Sequence, residues 1–127
     1  MDTILEPRTF EILETTTGQY TATIVGNDGV TPLPLATLTT LIMSLYVVKQ
    51  DGTIAFVNGR NGQNILNLNN VTVSAGGVLN WTIQTADTAF VEATLPFERH
   101  IAVFTWTWPA GTGKHEIVLV VKNLLVP

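Results

Sequence analysis

Ala75-Gly76-Gly77-Val78-Leu79-Asn80-Trp81-Thr82-Ile83-Gln84 is the stretch on which the fold turns. From Val78 onward, Leu79, Trp81 and Ile83 fall on one side of an extended chain, and Asn80, Thr82 and Gln84 on the other. Such alternation is the pattern of a half-buried antiparallel strand. The two glycines before it tolerate positive φ and read as the turn that joins it to residues 71–74. Outward from here the pattern repeats. Residues 19–25 place Tyr20, Ala22 and Ile24 inward against Gln19, Thr21 and Thr23, and Asn27-Asp28-Gly29 follows as a turn. Asp51-Gly52, between 41–49 and 54–58, is the strongest short hairpin signal in the chain. Ala110-Gly111-Thr112-Gly113 reads as the turn between 101–108 and 115–121. Seven or eight short strands at this spacing predict an all-β fold, an antiparallel β-sandwich of immunoglobulin-like or jelly-roll-like form.

Three runs break the alternation. Residues 41–49, 101–108 and 116–126 are apolar on both faces, as central strands or strands buried at an interface would be. Helical signal is confined to 84–91, where Thr85 or Asp87 could cap a single turn. Two prolines make Thr31-Pro32-Leu33-Pro34 a crossover, because they withhold ladder donors. Residues 58–63, Asn-Gly-Arg-Asn-Gly-Gln, form a polar loop. The division expected is an extended N-terminal arm over 1–17, with one strand at 9–15, and a sandwich domain over 18–127. The core expected is Trp81, Trp106, Phe104, Leu79, Ile83, Ile101, Val103, Leu119 and Val121.

A chain of 127 residues is one domain by default. Hydrophobic residues make up 46% of it, which excludes disorder, and charged residues only 13%, about half the usual share. Thr and Asn cover the outside instead, and such faces cost less to desolvate than ionic ones. That favours a protein whose surface lies against other protein. The net charge of −4 argues against direct nucleic-acid binding. All of it sits in the first 30 residues, where Asp2, Glu6, Glu11, Glu14 and Asp28 face only Arg8. There is no cysteine, so a disulfide framework and thiolate metal sites are excluded. No signal peptide is read at the start, and the apolar run 38–48 is too short, at about eleven residues, for a membrane helix.

Catalytic chemistry finds little support. Ser44 and Ser74 sit in no nucleophile motif, the ten acids show no pairing, and the Asn-Gly-Arg-Asn-Gly loop lacks the helix and Lys of a phosphate cradle. The chain is read as non-enzymatic, with no cofactor. His100 and His115 lie on the two arms of the last hairpin; two imidazoles could give a weak zinc or pH-switch site, but edge-of-strand polar positions are the simpler reading. Tyr46, Trp106 and Trp108, with Phe104, are candidate exposed aromatics that would stack on sugar rings, against the simpler reading that Phe104 and Trp106 fill the core.

Asp51-Gly52-Thr53 with Ile54, Val57-Asn58-Gly59-Arg60, Asn70-Val71-Thr72-Val73 into Gly76-Gly77-Val78-Leu79-Asn80-Trp81, Ala86-Asp87-Thr88-Ala89, Glu98-Arg99-His100, and Val120-Val121-Lys122-Asn123-Leu124 together resemble the small β-sandwich structural proteins of tailed bacteriophages, over about residues 40–126. Asp87-Thr88-Ala89 is also similar to the turn before strand F of immunoglobulin domains, although the cysteines of that family are missing. The phage resemblance implies a virion structural protein, first of all a capsid decoration (cement) protein that bridges capsomers, and otherwise a neck or tail component. It implies the major capsid protein or other virion proteins as partners, self-association with trimers favoured, and no membrane or direct nucleic-acid contact. It also implies location in the virion after assembly in the host cytoplasm. Asp2, Glu6, Arg8, Glu11 and Glu14 of the arm are then the expected partner contacts. A sugar-binding module is the reading from a different class.

Overall fold

The computed structural model describes residues 8–123. It is a β-sandwich of nine strands: β1 (Arg8–Leu13), β2 (Gly18–Thr23), β3 (Thr40–Val48), β4 (Ile54–Phe56), β5 (Gln63–Asn64), β6 (Val71–Val73), β7 (Val78–Ile83), β8 (Phe97–Trp108) and β9 (Gly111–Lys122). The larger sheet runs β1-β9-β8-β3-β4, with β5 also paired to β3; the smaller runs β2-β7-β6. All pairings are antiparallel except β1 on β9, where Arg8 lies opposite Ile117 and Leu13 opposite Lys122. Two 3-10 turns, Leu35–Thr37 and Thr85–Thr88, sit in the crossings between sheets. No helix among the described residues is long and apolar enough to cross a membrane.

The turns form where φ demands them. Gly52 and Gly77 have φ of 88° and 90°, which any Cβ disfavours. At Gly77 a Cβ would also run into the carbonyl of Leu33. The β6–β7 and β3–β4 hairpins close there as the sequence predicts. The strand β7 alternates as read, with Leu79, Trp81 and Ile83 buried.

Trp81 is fully buried at the centre, its ring edge-on to Phe104 at 5.8 Å and beneath the Arg60 guanidinium at 5.8 Å. Leu41, Met43 and Leu45 of β3, Ala102 and Phe104 of β8, and Ile117, Leu119 and Val121 of β9 close the core from the other sheet. Two expected core residues lie elsewhere. Only even-numbered residues of β8 face inward, so Ile101 and Val103 point out of the sandwich and are half-buried.

The last hairpin differs from its sequence reading. The turn is Pro109-Ala110, and Gly111 and Gly113 are strand residues directly opposite Trp108 and Trp106. A Cβ on Gly113 would overlap the Trp106 indole, and one on Gly111 would press on Trp108. The glycines are there so that two large rings can lie flat across the neighbouring strand. Within the stretch expected as an arm, Arg8–Leu13 is a strand of the larger sheet, with Ile12 buried and Phe10 packed on the core.

Candidate functional site

The two outer faces of the sandwich differ in chemistry. Across the smaller sheet, Thr72 of β6 lies opposite Asn80 of β7, and Asn80 opposite Thr21 of β2, a wholly polar row. Across the larger sheet, Val118 of β9 lies opposite Ile101 of β8, Ile101 opposite Tyr46 of β3, and Tyr46 opposite Phe56 of β4. This second row is apolar over four strands. Val48, Ile54 and Phe97 extend it, exposed by 52%, 57% and 48%. Charges flank it on the same face: Arg99 opposite Val120, Lys122 opposite Phe97, Glu116 opposite Val103 and Lys114 opposite Thr105. A depression of about 250 Å³ opens beside the row, lined by Val48, Leu95, Phe97 and Ile101. With strands about 4.8 Å apart and a rise of about 3.3 Å per residue, seven residues of β9, β8 and β3 and the three of β4 present roughly 380 Å². Patches of about 300–600 Å² are the largest that monomeric surfaces usually expose, and they commonly mark contact sites.

The candidate aromatics do not form a common platform. Trp106 and Trp108 are buried, at 5% and 8% exposed, on the inner face of β8. Tyr46 is half-buried on the opposite face of the same sheet, edge-on to Phe56 at 6.3 Å. The expectation of Trp108 as an exposed aromatic fails because the ring folds back over Gly111.

His100 does not sit at a solvated strand edge. His100 is fully buried; its Nδ1 lies 2.8 Å from the Asp87 carbonyl and its Nε2 2.7 Å from Oε1 of Glu98. A carbonyl can only accept, so Nδ1 donates, and a single proton is held between Nε2 and the Glu98 carboxylate. Glu98 also accepts from the Val91 and Glu92 amides, both at 2.8 Å. The Asp87 carboxylate accepts from Nε of Arg60 at 2.7 Å, from Asn58 at 2.9 Å and from the Gln84 amide at 2.8 Å. Arg60, only 1% exposed, completes its donors on Gln63 and the Asn69 carbonyl. These charges hold the 58–63 loop, the 3-10 turn and the segment before β8 to the core. Sequence reading left Arg60 in a polar loop and gave Asp87 as a possible cap, because nothing local marks either side chain as buried. His115 lies apart, hydrogen-bonded to the Tyr20 hydroxyl and stacked on its ring. No group of three or more His, Cys, Asp or Glu among the described residues could hold a metal ion.

Of the expected arm contacts, Asp2 and Glu6 lie outside the described residues. Arg8 opens β1, Glu11 is exposed and 3.3 Å from Lys122, and the Glu14 amide donates to the Lys122 carbonyl at 2.9 Å. No family model matches this chain, and no curated protein matches it.

Proposed function

We propose that this protein is a non-enzymatic structural subunit that works by covering the outer face of its larger sheet with neighbouring protein. The observation that carries the reading is the apolar row Val118–Ile101–Tyr46–Phe56, set beside a polar outer face on the other sheet. Desolvating that row would cost little and release water from apolar area at about 25 cal/mol per Å². The buried Arg, Asp, Glu and His side chains support the same reading, since their hydrogen-bonding groups are turned on the chain's own backbone and side chains rather than toward an opening.

The sequence resemblance to tailed-phage sandwich proteins gives the reading its specific form: a capsid decoration protein that bridges capsomers, self-associating as trimers and contacting the major capsid protein. The same face would serve a neck or tail ring. Tyr46→Lys and Phe56→Lys, both on the outer face and away from the core, test it. Each variant is expected to keep the unfolding midpoint of the parent while losing self-association in sedimentation velocity and occupancy on labelled particles. Unchanged association and occupancy in both variants would refute the reading. The position of label on the particle, on the head or at the tail joint, separates the two virion locations.

A further inference from the structure

The most exposed large apolar side chain among the described residues is Val30, at 77%. It stands at the tip of the 26–31 loop that follows β2, and that loop is held tight. The Gly26 amide donates to the Thr31 carbonyl at 3.1 Å, and the Gly29 amide to the Gly26 carbonyl at 3.0 Å. The Asp28 carboxylate accepts from the Val30 and Thr31 amides and from the Thr31 hydroxyl. Folding gains nothing from an apolar side chain left in water at the tip of so ordered a loop. Nor can the loop reach the depression on its own outer face. The Trp106 indole fastens Val25 at 3.1 Å, near one end of β8, whereas the depression lined by Val48, Leu95, Phe97 and Ile101 lies at the other end. From Arg99 to Trp106 the strand runs roughly 23 Å.

We propose that the Val30 loop of one copy seats in the outer-face depression of a second copy, a head-to-tail contact between unlike surfaces. The inference rests on the assembly reading and names what covers this part of the face. Size and charge both fit. The depression, about 250 Å³, is smaller than the pockets that take drug-sized ligands and suits a single loop tip. Its walls are apolar where a valine enters, with Val48 and Phe97 exposed. Asp28 is the only charged residue of the loop and is itself exposed. On the rim of the depression Glu92 is engaged by the Gln50 amide at 3.0 Å, while Arg99, also exposed, makes no ion pair among the described residues. Seating Val30 brings the Asp28 carboxylate to Arg99 as a counter-charge. Because the loop is already ordered, seating it costs little conformational entropy. A contact between unlike surfaces of like chains closes into a ring when the rotation per step permits, and a trimer is one such ring.

Sedimentation velocity of the full chain tests the contact with two variants, Val30→Lys in the loop and Val48→Lys in the depression. Both positions are exposed, so each variant is expected to keep the parental unfolding midpoint. Alone, each is expected to weaken self-association by roughly tenfold or more. Mixed in equal amounts, they are expected to form a 1:1 pair and nothing larger. The Val48→Lys chain brings an intact loop and the Val30→Lys chain an intact depression, while the two lysines keep the reverse contact apart. Parental association in either single variant overturns the proposal. A mixture that stays monomeric also overturns it, and gives the face to a contact between like surfaces. A parent chain that is monomeric at every concentration reached overturns it too, and leaves the assembly reading to occupancy on particles. Neither variant alters Tyr46 or Phe56, whose replacement tests the covering of the row itself, so the loop contact and the assembly reading fail separately.

Discussion

The two sheets of this sandwich show inner faces of one kind and outer faces of two. On the smaller sheet, Thr72, Asn80 and Thr21 make the row that meets solvent; on the larger, Val118, Ile101, Tyr46 and Phe56 occupy the equivalent positions. Both sheets are built of alternating strands around the same core, so folding alone does not require the second outer face to be apolar. On the proposed reading, the difference teaches that an apolar residue on a strand carries two separable meanings, one about the core and one about a neighbour.

The largest effects belong to what the two sheets share. Trp81→Ala should cost about 3–5 kcal/mol, since it empties the centre between Phe104 and Arg60. Asp87→Ala should cost a similar 3–5 kcal/mol or so, because it leaves the Arg60 guanidinium buried and unpaired. Replacing both Arg60 and Asp87 with apolar residues should then cost clearly less than the two single changes summed. Urea unfolding reads all of these; a loss below about 1 kcal/mol for Trp81→Ala would dissolve the idea of a common core.

Gly113→Ala comes next. The Trp106 indole would have to leave its place over β9, at a cost of about 1–3 kcal/mol and with a red shift in tryptophan emission. A variant with parental stability and emission would mean the ring is not held there.

The faces themselves are compared by charge. Ile101→Lys and Thr21→Lys, one on each outer face, should differ by no more than about 1 kcal/mol in monomer stability. Only the first is expected to abolish self-association. Equal behaviour of the two in sedimentation would erase the distinction between the faces.

The smallest effect concerns the turn at residues 28–31, after β2. Asp28 accepts from the Thr31 hydroxyl, the Thr31 amide at 2.8 Å and the Val30 amide at 2.9 Å, and these bonds, the hydroxyl first, hold its carboxyl down to about 2. The unfolded chain would titrate this group near 3.9. The turn is therefore at full strength above about pH 4 and weakens as pH falls through about 2, because only the folded state favours the charged form. Amide shifts of Val30 and Thr31 followed by NMR should report that midpoint. In Asp28→Asn they should be flat, and a parental midpoint near 4 would contradict the assignment.

The strand β7 and the hairpins at Asp51-Gly52 and Gly76-Gly77 were legible because period-2 alternation and positive φ are properties of a few consecutive residues. Gly111 and Gly113 were misread as a turn for the same reason: glycine marks backbone freedom, and only the register shows that a tryptophan across the ladder is what uses it. Arg60 was read in a polar loop, Asp87 as a possible cap and His100 as an edge-of-strand position. Their burial depends on partners 2 to 27 residues away being brought to one point. Of the proposed interaction surface, the sequence carried the hint that 41–49, 101–108 and 116–126 are apolar on both faces.

From its order of residues alone this protein is an all-β chain of alternating strands, closed by turns at identifiable glycines and poor in surface charge. Tertiary structure decided which apolar face of β3, β8 and β9 turns toward Trp81 and which is left outside, and that β1 joins β9 in parallel. Alternation is blind to that choice when both faces are apolar, since shifting a strand by one residue exchanges them without changing the pattern. Only packing against the second sheet breaks the tie.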